Sequence, residues 1–109
     1  MISKEHILIF KKSADSLYLD GDYTSATILY FKTLFAIQDF LLLEETGDSP
    51  KDHTLRFRQL QKYFPDLYRE LDVEFGTYRD TYSKIIGKET CLRIKKIVEN
   101  DIKKYKIKE

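Results

Sequence analysis

Apolar positions along this chain recur at helical spacing, and no segment keeps the alternation of a half-buried strand between turn residues. Ser3 is a candidate N-cap for a first helix, with Ile7, Phe10, Ala14 and Leu17 spaced along one face and Asp20-Gly21 ending it. Asp22 then caps a second helix that runs to about Glu45 and stops at Gly47. Its body, Tyr23 to Leu43 (YTSATILYFKTLFAIQDFLLL), breaks the amphipathic rule. Roughly two thirds of its residues are apolar and fall on almost every side, with no glycine or proline to interrupt them. Such a helix asks for burial all round, inside a bundle or between two copies of one.

Ser49-Pro50-Lys51-Asp52 then reads as a helix start: the serine caps, the proline takes the first helical position and the aspartate sits in the first turn. The third helix carries His53, Phe57, Leu60 and Phe64 at steps of four, three and four, which places the imidazole on the apolar stripe. Pro65 breaks the run and opens a fourth helix. Its stripe is Leu67, Leu71, Phe75, Tyr78, Tyr82 and Ile85, with Gly76 as a small residue permitting close approach of a neighbour and Gly87 closing it. A fifth helix follows with Cys91, Ile94, Val98 and Tyr105 on its inner side. The connections are short, so consecutive helices are expected to be antiparallel neighbours. The expected fold is all-α, an up-and-down bundle of four to five antiparallel helices forming one domain over residues 1–109.

The second helix is long enough to span a bilayer, but Lys32, Gln38 and Asp39 lie well inside it among Thr24, Ser25, Thr27 and Thr33. Ionisable groups at bilayer depth are expensive, so no membrane partner is expected. The amino end, MISKEHILIFKK, lacks a long apolar core closing on a small-residue cleavage site, and the expected location is cytoplasmic.

Composition changes this picture little. Charged residues make up 34% and apolar ones 42% of the 109, which excludes general disorder. The single cysteine, Cys91, cannot form an internal disulfide and reads as a small buried hydrophobe; no Cys/His zinc pattern is present, and no cofactor or metal is indicated. A net charge of +1 gives no general reason to expect a polyanion. Its distribution is uneven: Arg93 to Lys108 holds seven basic residues against Glu99 and Asp101, a local +5. That run reads as a solvated face with cations favourably near a helix carboxyl end, or as an RNA-binding tail.

One constellation of residues resembles a known family. Asp22-Tyr23, the apolar helix from Ala26 to Leu43 with its Ala-x-x-x-Tyr-Phe start, Lys51-Asp52-His53, Phe57, Leu60, Phe64 and Tyr78-Arg79-Asp80-Thr81-Tyr82 together resemble the HEPN superfamily of small helical proteins. The resemblance implies a four- or five-helix bundle that dimerises, often beside a minimal nucleotidyltransferase partner, and in many members cleaves RNA, including toxin-antitoxin and defence types. Those ribonucleases use an arginine, a neighbouring polar residue and a histidine about one turn later, assembled at the dimer interface. Arg79 and Asp80 fall on the first two positions, whereas Lys84, beside Ser83, stands about where the histidine belongs. The departure matters chemically: a neutral imidazole takes a proton from a ribose 2′-hydroxyl near neutral pH, and an ordinary lysine is already protonated.

The candidate site residues therefore carry two readings each. Arg79, with Tyr78 and Tyr82, is a candidate ligand-binding group in which a guanidinium holds a phosphate and a phenol stacks a base; structurally, Arg79 pairs with a carboxylate across the dimer. Asp80 and Lys84 are weak catalytic candidates and equally an ordinary i,i+4 pair. His53 is a further catalytic candidate or a satisfied core or cap histidine; His6, in the first turn of helix one, is expected to be exposed. Tyr18, Tyr30, Tyr63 and Tyr68 read as core. Tyr82 differs by resemblance, since in some relatives a tyrosine near the motif accepts a nucleotide, which requires its hydroxyl to reach solvent.

The favoured expectation is a HEPN-like homodimer that binds a nucleotide, RNA or a nucleotidyltransferase partner without an intact ribonuclease site. The alternative is an atypical metal-independent HEPN ribonuclease with Arg79, Asp80, Lys84 and His53 in a composite site at the dimer interface. A helical assembly module with no ligand is the third.

Overall fold

A computed structural model describes residues 2–108, which form five helices and no strand: α1 (Lys4–Leu19), α2 (Tyr23–Thr46), α3 (His53–Tyr63), α4 (Pro65–Asp80) and α5 (Lys88–Lys104). The all-helical bundle expected from periodicity is what the chain adopts.

The helix ends follow local chemistry closely. Ser3 Oγ accepts from the His6 amide and Asp22 Oδ1 from the Ser25 amide, each satisfying a donor that the first helical turn leaves free. After α1, Gly21 at φ 80° closes a Schellman motif in which the Asp22 amide donates to Leu17 O and the Gly21 amide to Tyr18 O. Gly47 at φ 85° ends α2 on Leu43 O. The same closure recurs after α5, where the Ile107 amide donates to Ile102 O and the Lys106 amide to Lys103 O, with Lys106 at φ 54° in the left-handed place usually held by glycine.

One start is corrected. The third helix begins at His53, capped by Asp52 Oδ1 accepting from the Leu55 amide, so Ser49 and Pro50 lie in the preceding loop. A carboxylate adjoining the helix outcompetes the serine because it reaches the free amides and adds favourable charge at the positive helix end. Pro65 sits in the first turn of α4 as expected.

α2 is the axis of the bundle. Ala26, Tyr30, Phe31 and Leu34 pack with Ala14 of α1 and with Cys91, Ile94 and Val98 of α5. Ala36 and Ile37 meet Ile7 and Ile107, and Leu42 meets Leu60 of α3 with Leu67 and Leu71 of α4. Each such large apolar side chain contributes about 1.5–3 kcal/mol of burial, so the helix with the most apolar surface takes the central place. The threonines inside it cost little, because Thr27 and Thr33 donate to Tyr23 O and Leu29 O one turn back, both at 2.7 Å. By length and composition α2 could cross a membrane, yet most of it is enclosed by the other helices of its own chain. From Tyr23 to Leu43 only Ile28 and Lys32 are exposed.

The fourth stripe is corrected at its end. α4 stops at Asp80, and a wind-down of turns follows, with Thr81 Oγ1 donating to Tyr78 O and the Ser83 and Lys84 amides to Asp80 O. Losing the helical twist moves Ile85 out, 94% exposed, and turns Ile86 in, where its amide donates to Thr24 Oγ1 at the start of α2. Gly87 does not close α4; it is the N-cap of α5. A Cβ on Gly76 would meet nothing within 4 Å, so that glycine serves no close approach. Tyr63, expected in the core, is exposed, whereas Tyr30 is fully buried and donates to Asp15 Oδ1. Burial pushes the Cys91 thiol up, in keeping with a packing role.

Consecutive helices are neighbours, but α4 and α5 are neighbours of an unusual kind. Their backbones stay apart while paired side chains bridge them in antiparallel register: Glu74 with Arg93, Glu70 with Asp101, Asp66 with Lys104.

Candidate functional site

A partly open strip along the body of α2 is built at steps of four, three and four from Ile28, Lys32, Phe35 and Asp39, which keeps these residues on a single flank. α4 runs alongside and supplies Tyr78, and the turn after it supplies Tyr82. Ile28, Lys32, Phe35, Tyr78 and Tyr82 line a groove of about 240 Å³, its walls mostly apolar. The Phe35 and Tyr78 rings meet edge to face at 4.9 Å, and Tyr78 and Tyr82 do so at 5.5 Å with their hydroxyls 2.6 Å apart. Tyr82 is 75% exposed, so one side of this aromatic wall faces water. Burial and the Tyr82 hydroxyl push the Tyr78 phenol up to about 12, which keeps it protonated at neutral pH. Lys32 stands at the rim with its ammonium 5.6 Å from the Phe10 ring.

α3 closes the far side. His53 packs against Phe35, Phe75 and Tyr78 at 4.8, 5.2 and 5.6 Å. Arg56, one turn on, lies with its guanidinium 4.8 Å from the Phe35 ring, donates from Nη2 to Asp39 Oδ1 at 2.8 Å and from Nη1 to His53 Nδ1 at 2.5 Å. A guanidinium only donates, so Nδ1 accepts, and the remaining ring proton belongs on Nε2. Burial, then the Arg56 charge, lowers the His53 pKa against the smaller raising effect of Asp39 and Asp52. The imidazole is thus held neutral with its basic lone pair already in use. That arrangement makes His53 a buttress for the aromatic wall and a hydrogen-bond donor at Nε2, not a ready general base.

The remaining residues singled out from sequence stand elsewhere. Arg79 is exposed and does not line the groove. Asp80 and Lys84 form the ordinary i,i+4 pair at 3.3 Å, both well exposed, of a kind contributing about 0.3–0.5 kcal/mol. His53 is brought to Tyr78, not into a common site with Arg79. His6 is exposed, with Nδ1 2.8 Å from Ser3 Oγ. Among the described residues no cluster of His, Cys, Asp and Glu is placed to hold a metal.

Ile28, Lys32, Phe35, Asp39 and Arg56 were not singled out as site residues from sequence. A signal for part of the strip existed: Lys32 and Asp39 are the only charged residues between Tyr23 and Leu43, seven apart, and two turns of helix bring them to one flank. No protein-family model matches this chain, and neither a curated protein nor a solved structure does so. The HEPN resemblance therefore stands on the residues alone.

Proposed function

We propose that this chain is a HEPN-like binding module that takes a single flat ring, such as the base of a nucleotide or of an RNA end, into the groove between α2 and α4, and performs no acid-base chemistry of its own. The observation that carries this reading is the wall of Phe35, Tyr78 and Tyr82, which offers ring faces and edges with one side open to water. Its size supports one ring and not a larger ligand, since about 240 Å³ falls below the roughly 300–1,000 Å³ that enclose drug-sized molecules. Lys32 at the rim suits a phosphate attached to that ring. Binding is favoured over ribonuclease action because the His53 lone pair is taken by Arg56, and Arg79, Asp80 and Lys84 lie outside the groove.

Titration with nucleoside monophosphates and short oligoribonucleotides, followed by tyrosine fluorescence, tests it. Saturation is expected, with Tyr82→Ala weakening binding by about tenfold or more, as base stacking contributes roughly 1–3 kcal/mol per base. An unchanged affinity in that variant, or no saturation in the millimolar range, overturns it. A second reading has a specific observation behind it: Ile28 and Tyr82, which line the groove, and Ile85, three residues on from Tyr82, are apolar and exposed, which suits a second copy or a nucleotidyltransferase partner covering the same face. Light scattering on the same samples separates the homodimer form of it, since a clean monomer at micromolar concentration removes that form.

A further inference from the structure

The basic run of the last helix divides into paired and unpaired members; of the unpaired ones, Lys96 is exposed and stands apart from the groove described next. Arg93, Lys95 and Lys104 are engaged by Glu74, Glu99 and Asp66. Lys103, Lys106 and Lys108 have no carboxylate partner among the described residues, and they gather around a second groove of about 220 Å³ floored by Ile102 and Ile107. Helix capping does not explain them. The carbonyls of Asp101, Ile102 and Lys103 already accept from the amides of Tyr105, Ile107 and Lys106, so the ammonium groups are not needed to satisfy the helix end.

We propose that this groove at the carboxyl end of α5 is a docking site for an acidic protein segment carrying an aliphatic anchor. Charge complementarity selects an anionic partner, because among the described residues the lining holds three lysines and no acidic side chain. The floor selects among anions. Single-stranded nucleic acid is held by lysines together with aromatic platforms for its bases, and no aromatic side chain lines this groove. A membrane surface takes up a protruding apolar side chain, whereas Ile107 is buried. An aliphatic floor with a lysine rim matches a leucine-like side chain flanked by carboxylates, the arrangement of an apolar anchor in a pocket with a polar rim. This site is separate from the aromatic groove and stands whether or not a ring binds there.

The test uses the full chain and a labelled peptide of about ten residues in which glutamates flank a central pair of leucines. The peptide is expected to bind, its leucine-to-serine version to bind at least about tenfold more weakly, and Tyr82→Ala to leave binding unchanged. Lys103→Glu with Lys106→Glu and Lys108→Glu is expected to abolish binding while helix content by circular dichroism is retained. Should that variant misfold, the milder replacement of the same lysines by glutamine is expected to weaken binding about tenfold. Equal binding of the serine peptide, tighter binding of oligouridylate or of phosphatidylserine vesicles, or no saturation in the millimolar range overturns the proposal.

Discussion

α5 faces two neighbours by opposite means. Toward α2 it presents Cys91, Ile94 and Val98, fully buried against Ala26, Tyr30, Phe31 and Leu34, and the two backbones come close. Toward α4 it presents Arg93, Asp101 and Lys104, which reach across to Glu74, Glu70 and Asp66. The apolar contact is non-directional and grows with area, so it supplies stability. The polar seam returns little net energy for what it buries, yet each pair fits only one register of α5 along α4. The difference teaches that one helix can be held by its apolar face and aligned by its polar one.

Removal of apolar bulk should have the largest effect. Phe31→Ala leaves a cavity between α1, α2 and α5 and is expected to cost about 3–5 kcal/mol in urea unfolding, whereas a loss under 1 kcal/mol would mean the apolar side is not the main support. In the seam, Arg93→Ala strips the bidentate partner from Glu74, itself only 8% exposed, at 3.0 Å on both contacts. A loss of about 1–3 kcal/mol is expected, mostly the cost of stranding that carboxylate, and Arg93→Ala with Glu74→Leu should recover much of it.

The most diagnostic test concerns Glu70 and Asp101, and its readout is a pH dependence. Burial pushes the Glu70 carboxyl up to about 9, and the Asp101 hydrogen bond and charge push the same way; burial also raises Asp101. Glu70 Oε1 and Asp101 Oδ2 are both buried without a hydrogen-bond partner, and one retained proton would let the first carboxyl donate to the second. Lys104 from α5 works against this and Glu74 from α4 with it. In the folded state Glu70 therefore keeps a proton that the unfolded chain releases near an ordinary value of about 4.3. Stability is unaffected by this group below that value, falls as pH climbs above it, and stops falling once pH passes about 9. Glu70→Gln supplies a permanent donor to Asp101, so the decline in melting temperature between about pH 4.3 and 9 should flatten in that variant. A decline as steep as in the parent chain would show that the pair is not what titrates.

How much of this was legible in the chain differs by kind of feature. Ser3, Asp22, Gly47 and Pro65 act where expected, because a cap is settled by a hydrogen bond spanning a few residues. Ser49 failed for the same local reason, since Asp52 stood nearer to the free amides. The α4 stripe was right through Tyr78 and wrong beyond it, where periodicity was extended past a helix end that the tie of Ile86 to Thr24, 62 residues away, helps to set. Of the aromatic groove, Tyr78 and Tyr82 were readable as candidates; Phe35 was hidden among similar residues on the other faces of α2.

Helix class, number and most boundaries were thus written into spacing and capping chemistry, and so was the central place of α2, since no other segment carries apolar residues on all its sides. The flank of α2 left uncovered, the capture of the His53 lone pair by Arg56, and the meeting of Glu70 with Asp101 were settled by packing. Arg56 and Asp39 are 17 residues apart and Arg93 and Glu74 are 19, and which side chains touch across such separations depends on how rigid helices cross and roll against one another. Hydrogen bonds within a turn are encoded where they form; contacts between helices are encoded only by the sum of all the surfaces that compete for burial.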